Sequence, residues 1–357
     1  MAEPVTLAAA YRGIVCDLDG VVRRGSTAVP HAVEQVTALT IPVVFATNNA
    51  SLTPDEVARQ LIGLGLSESS AYRDAVVTSS QAGATFVAAH HPRGSVVLAV
   101  GGPGVAAALV EVGMTPVTRR RGDVVAVLQG YGPDVTATDL AHASYAIQDG
   151  AQWVATNRDA TLPTENGVAP GNGALIAAVA LATGSDPVAV GKPEPPLYDL
   201  AVSRLGCAAD EALAVGDRLD TDIVGAMAAG LDSLWVLSGV DSLATFACAA
   251  GRPVPTFTAT DLRALGRPAQ RVQHTDGAWV CGPVRLSVDW TAGSVAVDPP
   301  DPTSSTTDVV DRVDATNALA SAAVAALVHG RDREGVPVDR LTRIAHQVTA
   351  HLHDGSA

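Results

Sequence analysis

The chain has 357 residues, nearly half of them apolar, few aromatic residues and a formal net charge of −14. That length and apolar content ask for two or three compact units with proper cores. The acidic balance excludes nucleic acid and an anionic membrane surface as main partners, because both need a basic footprint that no run of this chain supplies.

The amino-terminal MAEPVTLAAAYRG lacks a charged stretch followed by an apolar one, so no export signal is expected. No apolar stretch is long enough and unbroken enough to cross a bilayer. Cys16, Cys207, Cys248 and Cys281 follow no metal-type spacing, and a reducing, cytoplasmic setting is the expectation.

Residues 13–22, GIVCDLDGVV, place Asp17 and Asp19 one residue apart directly after a short apolar run. The run reads as a buried parallel strand, and the carboxyl ends of such strands are where open α/β sheets place chemistry. Two carboxylates this close repel unless a cation sits between them or one stays protonated. A catalytic pair at a magnesium site is one reading; an acidic turn is the other.

From residue 14 to about 74 strand and helix patterns alternate: IVCDL, a helix over 31–39, the strand IPVVFAT, and a helix opened by Thr53 and Pro54, with Glu56 completing a capping box. Thr47, Asn48 and Asn49 end that strand. Their hydroxyl and backbone N–H groups suit phosphate oxygens, and they equally suit a helix-capping turn. A second series follows over about 75–186: helix 81–89, strand VVLAV, helix 105–112, strand VVAVLQG, helix 138–148 and strand QWVAT. The VGGPG at 100–104 lacks the third glycine and the later acidic residue of a dinucleotide loop, and reads as a strand-to-helix turn. Asn157, Arg158 and Asp159 follow QWVAT, and the segment 170–173, PGNG, opens an Ala-rich helix.

From residue 188 the first style resumes, so the second series interrupts the first. Lys192 in GKPEPP follows a short apolar run; it reads as a partner for phosphoryl oxygens or as a surface charge. A helix over 198–205 leads to ALAVGDRLDTDI, where Asp217 ends a strand and Asp222 opens a helix over 221–229. Asp217 suits a magnesium ligand; Asp222 suits orientation of a bound water or of Lys192, or the helix dipole alone. After the strand LDSLWVL, and beyond residue 265, come an irregular GRPAQRVQHTDG, the strand-like runs AWVCGPVRLSVDW and SVAVDP, and a polar, Pro-rich break, DPPDPTSSTT. An Ala-rich helix over 309–328 and a helix over 338–351, with Leu341, Ile344, Ala345 and Val348 on one face, complete the chain.

DLDGV, ATNN, GKPEPP and GDRLDTDI, in this order and each after an apolar run, resemble the four motifs of the haloacid dehalogenase superfamily over about residues 12–265. The long insertion between the second and third motifs, carrying TNRDATLPTENGVAPGNG, is similar to the large cap of the NagD and p-nitrophenyl phosphatase branch. The resemblance implies an α/β fold: a Rossmann-like, doubly wound parallel sheet core over 1–74 and 188–266, a large inserted α/β cap at 75–187, and a small α+β carboxyl-terminal domain at 267–357 of unknown role. It implies Asp17 as the nucleophile that becomes an aspartyl phosphate, Asp19 as general acid and base, and Lys192 as the cation that stabilises the phosphoryl group. Asp17, the backbone carbonyl of Asp19, and Asp217 would hold Mg2+, with Asp222 behind them. Thr47, Asn48 and Asn49 would bind the phosphoryl group, and Asn157, Arg158 and Asp159 would face the leaving group.

The activity implied is that of a phosphatase for a small phosphorylated metabolite, glycerol 3-phosphate first and 2-phosphoglycolate next. A nucleotide or sugar phosphate phosphatase, or a metabolite sensor read out by the carboxyl-terminal domain, is the alternative. A homodimer through the cap or the carboxyl-terminal domain is a further expectation. The chain departs from the branch at residues 130–133, GYGP, where an acidic residue is usual, and in its tail, which most members lack.

Overall fold

The structure is a computed structural model that describes residues 5–68, 73–164, 166–248, 251, 253–298 and 309–354. Nearly all of the Pro-rich break lies outside the described residues. The chain divides into two compact units, Met1–Pro42 with Asp210–Ala357, and Val43–Ala209. Both belong to the α/β class, with Rossmann-like parallel sheets and flanking helices.

In the first unit, strand Gly13–Cys16 pairs in parallel with Ala212–Gly216, that strand with Asp232–Val236, and the last with Phe257–Ala259. Parallel strands covered on both faces read as continuous apolar runs. Accordingly, every residue of Gly13–Cys16 and Ala212–Gly216 is buried.

The carboxyl-terminal part adds a four-stranded antiparallel meander, Gln273–Thr275, Ala278–Cys281, Val284–Asp289 and Ser294–Asp298. Helices Val309–Asp332 and Val338–Asp354 follow. The segment expected to be irregular thus holds a strand, and AWVCGPVRLSVDW is two strands. The first follows from an Asp276-Gly277 turn in which both residues take left-handed φ values, 52° and 73°, the conformation a two-residue hairpin needs; the second follows from the turn at Gly282, φ 50°, and Pro283 between Cys281 and Val284. Leu341, Ile344, Ala345 and Val348 are buried as their spacing predicts. One hydrophobic cluster joins these helices to Trp235 of the parallel sheet, to Leu219 and Phe246 of the turn and helix that follow its strands, and to Trp279 and Leu286 of the meander.

In the second unit, Val43–Thr47 pairs in parallel with Val76–Thr78. Five further parallel strands lie in the order Val188–Ala189, Gln152–Ala155, Val124–Gln129, Val96–Val100, Thr115–Val117. The expected helices are present as Ser79–His90, Pro103–Glu111, Ala137–Gln148 and Asn172–Thr183, so VGGPG is a strand-to-helix turn. The hairpin Thr161–Thr164 with Gly167–Pro170 has no counterpart among the expected strands. Helix Pro54–Gly63 starts with the predicted capping box: Thr53 Oγ1 accepts the Glu56 N–H at 3.3 Å, and the Glu56 carboxylate accepts the Thr53 N–H at 2.8 Å. Thr53→Ala is expected to cost about 1 kcal/mol, read as a lower urea midpoint at unchanged slope.

Among the described residues no helix is long and apolar enough to cross a membrane.

Candidate active site

Two parallel strands of the first unit end side by side, and each delivers an aspartate at its carboxyl end. Asp17 follows Gly13–Cys16, its backbone N–H bonded to the Val215 carbonyl at 2.8 Å. Asp217 follows Ala212–Gly216 and is fully buried. Next comes a π-helical turn, Leu219–Ile223, that carries Asp222, also buried. Such turns recur at functional sites because the wider ring redirects side chains. Ligand atoms of Asp17, Asp217 and Asp222 lie within 4.8 Å of one another.

Three carboxylates gathered this closely repel one another, and a cation among them removes the cost. The donor set consists of hard oxygens, the chemistry magnesium selects. One oxygen of Asp217, Oδ2, accepts the Val240 N–H at 2.6 Å, while the buried Oδ1 accepts no hydrogen bond among the described residues. These residues therefore fit a divalent cation.

Asp19 lies on the turn after Asp17. Its side chain is 59% exposed and ion-paired with Arg23, whose own side chain is 8% exposed, at 3.0 Å. The loop closes on itself through Gly20 N–H to the Arg23 carbonyl and Arg23 N–H to the Leu18 carbonyl. Arg23 is thus a buried anchor for a carboxylate that reaches solvent.

Sequence reasoning passed over the loop at 238–241, which clamps Asp217. Besides the Val240 bond, the Asp241 carboxylate accepts the Leu219 N–H at 2.7 Å, and the Trp235 indole N–H donates to the Asp217 carbonyl at 3.0 Å. Gly239 packs so close that an added Cβ would overlap the Asp217 carboxylate. Gly239→Ala is expected to destabilise the fold by about 1–3 kcal/mol, measured as a lower denaturation midpoint. A signal was present: a Gly-Val-Asp turn after an apolar strand is where loops of an open sheet gather.

In the second unit the predicted residues form a network around Asn48. Its Nδ2 donates to the Lys192 carbonyl at 3.1 Å and to the Asp159 carboxylate at 3.2 Å, and its Oδ1 accepts the Lys192 N–H at 2.8 Å. Asn157 Nδ2 donates to the Asn48 carbonyl at 2.8 Å, and Asn157 Oδ1 accepts the Asp159 N–H. Asn48 therefore fixes the backbone that carries Lys192, which is itself buried.

Thr47 Oγ1 accepts the Asn49 N–H at 3.1 Å, and Asn49 Oδ1 accepts the Ser51 N–H at 2.9 Å, so Asn49 shapes the turn. Arg158 points away from this network, with Nη2 donating to the Pro187 carbonyl at 2.7 Å. The PGNG segment opens the helix Asn172–Thr183 as expected, and Asn172 Nδ2 donates to the Asn157 carbonyl at 2.8 Å.

Comparison with known proteins places these motifs among relatives. A haloacid dehalogenase-like hydrolase model matches residues 14–115, and a second HAD-hydrolase-like model matches 189–265. A D-glycerol 3-phosphate phosphatase of Mycobacterium tuberculosis is 45% identical over 252 residues, 71% of this chain and 70% of that one. An acid sugar phosphatase of Staphylococcus haemolyticus is 35% identical over 233 residues, 64% of this chain and 86% of its own. The crystal structure of glycerol phosphate phosphatase from Mycobacterium tuberculosis in complex with magnesium is similar at a TM-score of 0.76 and 39% identity, covering 91% of this chain and 92% of that one. That coverage exceeds residues 1–266, so the structural likeness runs into the carboxyl-terminal part.

Proposed function

The chain belongs to the haloacid dehalogenase-like hydrolases, and on that footing we propose that it hydrolyses glycerol 3-phosphate through an aspartyl phosphate at Asp17. It is a phosphoric monoester hydrolase with magnesium as its cofactor. The observation that carries the reading is the trio Asp17, Asp217 and Asp222 at adjoining strand ends, with Asp19 two residues beyond the first.

An Asp17 carboxylate oxygen attacks phosphorus, and the bond from phosphorus to the glycerol oxygen breaks. Asp19 gives its proton to the departing alkoxide and takes one from the water that next attacks phosphorus, so phosphate leaves and Asp17 is restored. Asp17, the Asp19 carbonyl and Asp217 would hold Mg2+, whose positive charge would offset the carboxylates and the phosphoryl oxygens. Lys192 adds a second cation, the Thr47 hydroxyl donates to the phosphoryl group, and Asn48 positions Lys192. Asn49 shapes the phosphate-side turn, Asp222 orients the metal shell, and Asn157 and Asp159 set the leaving-group side. Arg158, assigned to the same side, donates to the Pro187 carbonyl.

Glycerol 3-phosphate is favoured by the Mycobacterium tuberculosis relative, with 2-phosphoglycolate next; a sugar phosphate substrate finds support in the Staphylococcus relative. The reading keeps the cap at 75–187 and the carboxyl-terminal domain at 267–357 as functional divisions, with a homodimer through either. The reading also keeps a cytoplasmic setting, with Cys16, Cys207, Cys248 and Cys281 as free thiols.

The test is phosphate release with magnesium over a panel of glycerol 3-phosphate, 2-phosphoglycolate, sugar phosphates and nucleoside monophosphates. The highest kcat/KM is expected for glycerol 3-phosphate, and chelation should abolish release from every member. A nucleotide ahead of glycerol 3-phosphate would overturn the substrate assignment.

A further inference from the structure

The first unit holds a cleft of about 620 Å³ whose lining does not include the three aspartates, within the size range of small-molecule sites. One wall is the loop at 237–243, which clamps Asp217; the other comes from the two carboxyl-terminal helices. Val240, Leu243, Val313 and Leu352 give it an apolar lining. Val240 is 67% exposed although its backbone is fixed to the Asp217 carboxylate.

The two guanidiniums and two carboxylates of the lining balance in formal charge, and what suits the cleft to an oxyanion is spare hydrogen-bond donors. Both carboxylates in the lining are committed to protein donors: Asp261 accepts from Arg263 Nε and Nη2 at 2.9 and 2.7 Å, and Asp241 accepts the Leu219 N–H. A guanidinium carries five N–H donors, more than one carboxylate takes up, so Arg263 keeps donor capacity toward the cleft. Arg312 brings a second guanidinium and His31 an imidazole. His31 also holds a left-handed φ of 65°, which histidine adopts more readily than most residues with a side chain.

We propose that this cleft is an effector site for a small organic oxyanion with an apolar body, and that its occupancy is coupled to the metal-holding Asp217 through the loop at 237–243. A ligand seated on Val240 and Asp241 touches the loop whose N–H and carboxylate hold Asp217 and Leu219. Occupancy and cation binding at Asp217 then change each other's affinity by the same factor. The coupling rests on the metal role of Asp217; the binding site does not.

Anilinonaphthalene sulfonate, a fluorescent oxyanion with an apolar body, is the probe. Titrated into the full chain, it should bind saturably, and Arg312→Gln or Thr316→Trp, the latter filling the cleft, should each weaken it about tenfold while phosphate release without dye is unchanged. Saturating magnesium should shift the dye Kd about fivefold or more, the lower end of usual allosteric coupling. Dye affinity unaltered in both variants, or dye displaced competitively by glycerol 3-phosphate, overturns the site. A dye Kd indifferent to magnesium overturns the coupling. Intact, variant-sensitive dye binding in a chain that releases no phosphate would support the cleft and count against the phosphatase reading alone.

Discussion

Asp17→Asn is expected to lower phosphate release from glycerol 3-phosphate by about 10⁴-fold or more, because the amide cannot supply the oxygen nucleophile on which both half-reactions depend. The substitution preserves shape, and the backbone bond from residue 17 to Val215 does not involve the side chain. Its effect on stability has a definite sign. Three carboxylates within 4.8 Å repel when no cation is present, so removing one charge should raise the denaturation midpoint of the metal-free protein. Magnesium should then stabilise the variant less than the parent, since a ligand that binds only the folded state stabilises in proportion to its affinity. Phosphate release assays and urea titrations with and without magnesium check both halves. Undiminished turnover would end the aspartyl phosphate mechanism, and a less stable metal-free variant would contradict the repulsion argument.

The features legible in the sequence share one property: a chemistry-bearing residue sits immediately after an apolar run. Asp17, Thr47 and Asp217 were found because a buried parallel strand is a continuous apolar string, and its carboxyl end is where the backbone stops pairing and side chains can gather. The capping box at Thr53 and the buried face of the last helix were legible because each depends on fixed local spacing.

Hydrogen-bond partners far apart in sequence were not legible. Asn48 reads as a phosphate ligand from its place in ATNN, and what that reading leaves out is that its side-chain amide bonds to Lys192 and Asp159, 144 and 111 residues away. The clamp on Asp217 from Val240, 23 residues on, follows from strand packing that no spacing reveals. Arg23 is different, being only four residues from Asp19. It was overlooked because an arginine after a strand reads as a surface charge, and only the fold buries it. The Asp276-Gly277 hairpin was also readable, but the polar segment around it masked the short strands on either side.

Asp19→Ala should separate the two roles assigned to that carboxylate. With glycerol 3-phosphate the leaving group is an alkoxide that needs a proton as it departs, and loss of a positioned acid is expected to lower release by about 10²–10⁴-fold. With p-nitrophenyl phosphate the leaving group is already a stable anion near neutral pH, so the first half-reaction should proceed at close to the parental rate. The second half-reaction is the same for both substrates: water attacks the phosphoryl-Asp17, and without Asp19 no carboxylate takes its proton. The variant should therefore show a burst of nitrophenolate of one equivalent per active site, then slow turnover, because the phosphoryl group accumulates on Asp17. Rapid-mixing absorbance measures the burst, and acid-quenched protein mass reports the added phosphoryl group. Arg23→Gln is the companion. Arg23 holds the exposed Asp19 carboxylate at 3.0 Å from a buried position, so its loss should slow both half-reactions with glycerol 3-phosphate by a smaller factor, but only the second with nitrophenyl phosphate, giving a shallower burst. A parental first turnover with nitrophenyl phosphate and no accumulation would leave Asp19 as the acid but remove it as the base. Equal first-turnover losses for the two leaving groups would remove it as the acid.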